Sequence, residues 1–212
     1  MGLFDTLLGR TKPVQADLDN LFGLPSAAVT LQTAGGLTPS GRAGVCYKPP
    51  TGQAFEDMQR EVTALLSMDG GGTLASAEDT YGYHWVVLEN PDVGELVNQV
   101  HVVNSSLADA GWGPQLLCSV FGFCPLPEDA PQLGMGDDLD ADGGLATPVS
   151  VSASTIYLVY LFKRGTFYPF APAGHERRNT EAELKLKSLV ANDLRVEAEL
   201  DRWFPLWDLP VG

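Results

Sequence analysis

Asp138-Leu139-Asp140-Ala141-Asp142-Gly143 places three carboxylates at alternate positions before a glycine, the opening half of a calcium-binding EF-hand loop. Such a loop closes on a bidentate Glu at its twelfth position, and here that position is Val149. Without the closing ligand the expectation is a solvated acidic segment with no specific calcium binding.

The other residues able to do chemistry are scattered. His84, His101 and His175 have no second His or Cys at the spacing that a zinc helix needs. Structural roles are expected for His84 and His101. Cys46, Cys118 and Cys124 lie in strand-like apolar sequence and are expected to be reduced and at least partly buried, packed as small hydrophobes. The chain has no Gly-x-Ser-x-Gly elbow and no phosphate-binding Gly-x-x-x-x-Gly-Lys loop. Gly134-Met135-Gly136 is only a fragment of a dinucleotide fingerprint. No catalytic residue, metal set or cofactor is therefore expected.

Two segments suit binding. Lys163, Arg164, Arg177 and Arg178 interrupt an acidic chain beside Phe167, Tyr168 and Phe170. Cations among aromatics can receive carboxylates through charge-assisted hydrogen bonds. That makes Lys163, Arg164, Tyr168, Arg177 and Arg178 a candidate partner surface. The competing reading is a hairpin whose aromatics fill the core while its charges are merely solvated. On the first reading, reversing Arg164, Arg177 and Arg178 removes partner capture and leaves the melting temperature almost unchanged. At the N-terminus, Leu3, Phe4, Leu7 and Leu8 share one side of a short helix over about residues 3–8. That stripe suits docking to a membrane or a partner. Folding back over the sheet is the simpler expectation.

These residues need elements to position them. Ala27 to Thr33 and Ala43 to Tyr47 read as short strands. Phe55, Met58, Val62, Leu65 and Leu66 share a helical face, predicting a helix over Gly52 to Met68. Leu74 to Ala77 reads as an edge strand, and Tyr81 to Leu88 as a stronger one. Asn90-Pro91-Asp92 signals a helix start with Asn90 as cap. Val93, Leu96, Val97, Val100, Val103 and Leu107 form that helix's inner stripe. Gln115 to Phe123, Ser152 to Phe162 and Thr166 to Phe170 read as strands, the last two joined by a turn at Lys163-Arg164-Gly165. Thr180-x-x-Glu183 reads as a capping box that opens a last helix, with Leu186, Leu189 and Val190 inward. A strand–strand–helix order with short connections predicts a mainly antiparallel sheet with helices packed on one face. The fold class is α+β.

A length of 212 residues suits one domain. An acidic segment over residues 125–149 is expected to be a flexible loop within it. With 13 Lys+Arg against 27 Asp+Glu, the net charge of −14 argues against broad nucleic-acid binding. No apolar run approaches the ~18–20 residues that cross a bilayer. The odd number of cysteines suits a cytosolic protein.

Several segments carry a resemblance: Met1-Gly2-Leu3-Phe4-Asp5, Leu24-Pro25-Ser26-Ala27-Ala28-Val29, Asn104-Ser105-Ser106-Leu107 and Gly113-Pro114-Gln115-Leu116-Leu117-Cys118. Lys163 to Phe170 and Arg202-Trp203-Phe204-Pro205 complete it. Together they resemble the phage-shock-protein-A-associated family PspAB, found mainly in actinobacteria. The resemblance spans nearly the whole chain and brings no catalytic motif. It implies a bacterial cytosolic protein of the envelope-stress response, with peripheral contact at the inner face of the membrane left open. It also implies association, largely through gene neighbourhood, with the coiled-coil protein PspA and with an HtpX-type membrane protease. The expected function is a non-enzymatic accessory or adaptor acting through protein contacts. The alternative is a small-molecule- or metal-binding enzyme whose site is built from scattered residues, which a closed polar pocket at His84 or His101 would favour.

Overall fold

Leu24, Ala27, Ala28, Leu31 and Gly35 are buried at helical spacing, and Pro25 sits in the first turn, where a missing N–H costs nothing. A computed structural model, which describes residues 17–68, 73–126 and 155–211, accordingly has a helix, α1, over Leu24–Gly35. This corrects the strand expected over Ala27 to Thr33. The β-branched Val29 is 60% exposed, while the small and unbranched residues of the opposite face carry the packing. Propensity gave way to the face that could be buried.

The remaining elements are β1 (Leu37–Tyr47), α2 (Gln53–Met68), β2 (Thr73–Glu78), β3 (His84–Glu89) and α3 (Val93–Leu107). After them come β4 (Leu116–Pro125), β5 (Ile156–Leu161), β6 (Thr166–Phe170) and α4 (Thr180–Val190). β1 begins well before Ala43, with a register irregularity between Pro39 and Ala43. Tyr81 lies in the turn before β3 rather than in the strand. Two caps also differ from the sequence reading. Asp92, not Asn90, caps α3 by accepting the Glu95 N–H, and Asn90 accepts the Asp92 N–H one step earlier. Asn179, not Thr180, caps α4 by accepting the Ala182 N–H, which frees Glu183 for another task.

Among the described residues the strands form one six-stranded sheet in the order β2-β3-β1-β4-β5-β6, antiparallel throughout. One face is covered by the helices, through Leu31 of α1, Met58 and Val62 of α2, Val97 of α3 and Leu186 of α4. The α+β architecture with helices on one face is therefore as expected.

The opposite face is not left to solvent. Cys46, Trp85, Val87, Cys118, Val120, Tyr157, Val159, Tyr168 and Phe170 point that way, and residues 196–211 lie across them. This strap begins as a short parallel bridge of Val196 to Phe167. Trp203 then stacks on Tyr168 at 6.0 Å, and Trp207 meets Phe170 edge-on at 5.3 Å. Val211 ends over Gly44 and Trp85. No helix among the described residues is long and apolar enough to cross a membrane.

Candidate functional site

The basic residues singled out by the sequence stand at the two ends of β6. Lys163 and Arg164 occupy the β5–β6 turn, in which Leu161 O accepts the N–H groups of both Arg164 and Gly165. Gly165 has φ 64°, and a Cβ there would lie 2.9 Å from that of Asp17, so the turn requires glycine. Arg177 and Arg178 follow the other end of β6. Five strand residues lie between, about 17 Å at the usual rise. The four cations are not one patch.

Each end instead holds a buried carboxylate. Glu197 is 2% exposed and begins the strap. It accepts hydrogen bonds from Arg164 Nε at 2.5 Å, Thr166 Oγ1 at 2.8 Å and its neighbour's backbone, Glu199 N, at 3.2 Å. Burial pushes this carboxyl up, but those donors together outweigh burial and hold it below the usual range of 4.5. At the other end, Glu183 is 1% exposed and accepts from Ala171 N at 2.9 Å and Arg178 Nε at 3.0 Å. Arg178 also donates through Nη1 to Trp203 O and lies 5.5 Å over the Phe170 ring.

Tyr168, between the two ends, is buried and donates its hydroxyl to Phe204 O at 2.8 Å. Desolvation pushes that hydroxyl well above its ordinary pKa. Trp203 completes the arrangement: Nε1 donates to Glu197 O at 3.1 Å, and Lys187 Nζ lies 5.6 Å over its ring. Arg164, Tyr168 and Arg178 thus tie the strap to the sheet. Lys163 and Arg177 are exposed, and so is the paired Arg164, at 42% of its side chain, while Arg178 is half-buried. Of the two sequence readings of this segment, the aromatics do fill the core. Two of the cations, however, are neither a free surface nor merely solvated.

Sequence reasoning missed the acceptors. In the sequence Glu183 reads as part of a capping box, and no local pattern marks Glu197. The available signal was an unpaired excess of Arg near a Trp-Phe-Pro segment that lacked any periodicity. The strap's outer side carries Leu200 at 54% and Phe204 at 56% exposure, and Leu184 on α4 is 42% exposed.

The other candidates disperse. His84 sits against Tyr47 at 5.7 Å with Glu78 at 3.8 Å, and His101 lies against the exposed Phe22 at 5.1 Å. His175 is exposed in the loop before Arg177. All three cysteines are free, Cys46 and Cys118 buried and Cys124 half-buried. Among the described residues no three His, Cys, Asp or Glu gather to hold a metal ion. Leu3, Phe4, Leu7 and Leu8, and the carboxylates of Asp138, Asp140 and Asp142, lie outside the described residues.

Fold and site together define a single-sheet α+β protein that uses helices to cover one face and its own C-terminal strap to cover the other. The family model for PspA associated protein B matches residues 1–211, and the chain belongs to that family. Searches of curated proteins and of solved structures find no match.

Proposed function

We propose that this protein is a non-enzymatic accessory of the bacterial phage-shock response, an adaptor on the cytoplasmic side that contacts PspA directly. The observation that carries the reading is the match over residues 1–211 to a family named for association with PspA. The exposed apolar side chains Leu200 and Phe204 supply a surface on which such a contact can close. Arg177 stands beside Arg178, whose guanidinium reaches the strap at Trp203 O, and so adds a basic rim. A coiled-coil helix offering apolar side chains flanked by carboxylates complements that surface.

The test uses the purified full-length chain and purified PspA in calorimetry. Saturable binding by the wild type, weakened at least tenfold in Leu200→Asp/Phe204→Asp with the fold intact, supports the reading. Absence of binding by the wild type overturns direct contact. Loss of binding on Leu3→Asp/Phe4→Asp alone moves the contact to the N-terminal stripe.

A further inference from the structure

Cys46 of β1 and Cys118 of β4 are directly opposed partners in the antiparallel ladder. Both point to the strap face, and they are 3% and 5% exposed. Opposed residues of antiparallel strands have Cα atoms about 4.5–5.5 Å apart. A disulfide needs about 4.4–6.8 Å, so this backbone can accept one without moving. Trp85 is the partner of Cys46 on its other side, in β3, so a row Trp85–Cys46–Cys118 crosses three strands beneath the strap. Val211, at the strap's end, and Trp85 both lie against Gly44, two residues from Cys46.

We propose that Cys46 and Cys118 form a reversible cross-strand disulfide, and that the C-terminal strap controls when it forms. Hydrogen peroxide is the oxidant class. The thiolate of one cysteine attacks the O–O bond, giving a sulfenic acid and, with one proton, water. The second sulfur then displaces the sulfenic oxygen, which leaves as a second water. The net change is two thiols and one peroxide to one disulfide and two waters, and a dithiol reductant reverses it.

The strap is the control because reactivity follows the thiolate and its access. With the strap closed, the opposed Cys118 and burial raise the Cys46 thiol far above its ordinary value. At 3% and 5% exposure the pair is poorly accessible to peroxide. Lifting Trp203 and Val211 from the sheet removes burial and admits the oxidant. Cys124, half-buried and opposite Thr38, has no cysteine partner and serves as the internal control.

The experiment treats the full-length protein with peroxide, then labels remaining thiols with maleimide in denaturant and maps the peptides. The expected product is a disulfide joining the Cys46 and Cys118 peptides. It should be absent from Cys46→Ser and restored to two free thiols by dithiothreitol. Trp203→Ala should form it about tenfold faster, because the strap's open state is then more populated. Should that variant fail to fold, the wild-type rate in sub-denaturing urea replaces it, and the same acceleration is expected. Full labelling of Cys46 and Cys118 after peroxide, or a disulfide that involves Cys124 instead, overturns the pairing. A rate unchanged by loosening the strap overturns the control.

Discussion

The carboxylate of Glu197 and the guanidinium of Arg164 meet at 2.5 Å, joining the start of the C-terminal strap to the β5–β6 turn across 33 residues of sequence. The acceptor is buried and the donor is partly exposed. The pair therefore works as a latch, with Arg202 Nη1 standing 4.0 Å from the same carboxylate.

Glu197→Gln keeps the shape and removes the charge. Weakening charged hydrogen bonds of this kind should cost about 1–3 kcal/mol, read as a lower urea midpoint with an unchanged slope.

Charge reversal should separate the four cations into two pairs. Arg178→Glu places a second carboxylate against a buried one and should cost about 3 kcal/mol or more, and Arg164→Glu, at the more exposed end, should destabilise in the same direction but less. Lys163→Glu and Arg177→Glu should stay within about 0.5 kcal/mol. Thermal melts of the four single variants check this. The reversal of Arg164, Arg177 and Arg178, expected from sequence to be thermally silent, should instead be strongly destabilising.

Acid should loosen the strap. The folded carboxyl of Glu197 is held below its unfolded value of 4.5. Its contribution to stability is thus fully present above that value and is lost as pH falls through the lower, folded pKa. Tryptophan fluorescence from Trp203 and Trp207 should report the loss as a transition below pH 4.5. Glu197→Gln should remove that component of the transition.

Gly44 tests the far end of the strap. A Cβ there would meet Val211 Cγ1 at 2.9 Å and Trp85 Cε3 at 3.1 Å, closer than carbon atoms pack. Gly44→Ala should cost about 1–3 kcal/mol and make the chain beyond Trp203 cleavable under limited proteolysis.

Much of the sheet was legible because its strands are apolar runs bounded by turn residues, as at Gln115 to Phe123 and Lys163-Arg164-Gly165. α2 and α3 were legible through their apolar period. α1 was not, because Val29, Thr30 and Thr33 mimic a strand in a segment too short for the period to dominate. The strap was hidden for a different reason. Trp203, Leu206, Trp207, Leu209 and Val211 follow no period, and only the uncovered second face of the sheet gives them a place to be buried. The basic segment stands out by contrast with the chain's acidity. Its role depends on Glu183 and Glu197, whose burial no local pattern announces.

The most direct test of the central claim, that the outer face of the strap meets PspA, is hydrogen exchange of the full-length protein with and without PspA. The account predicts slowed exchange in peptides spanning residues 199–206 and in the loop carrying Arg177, with β1 and β4 unchanged. Protection confined to other segments, with residues 199–206 exchanging as in the free protein, would contradict it.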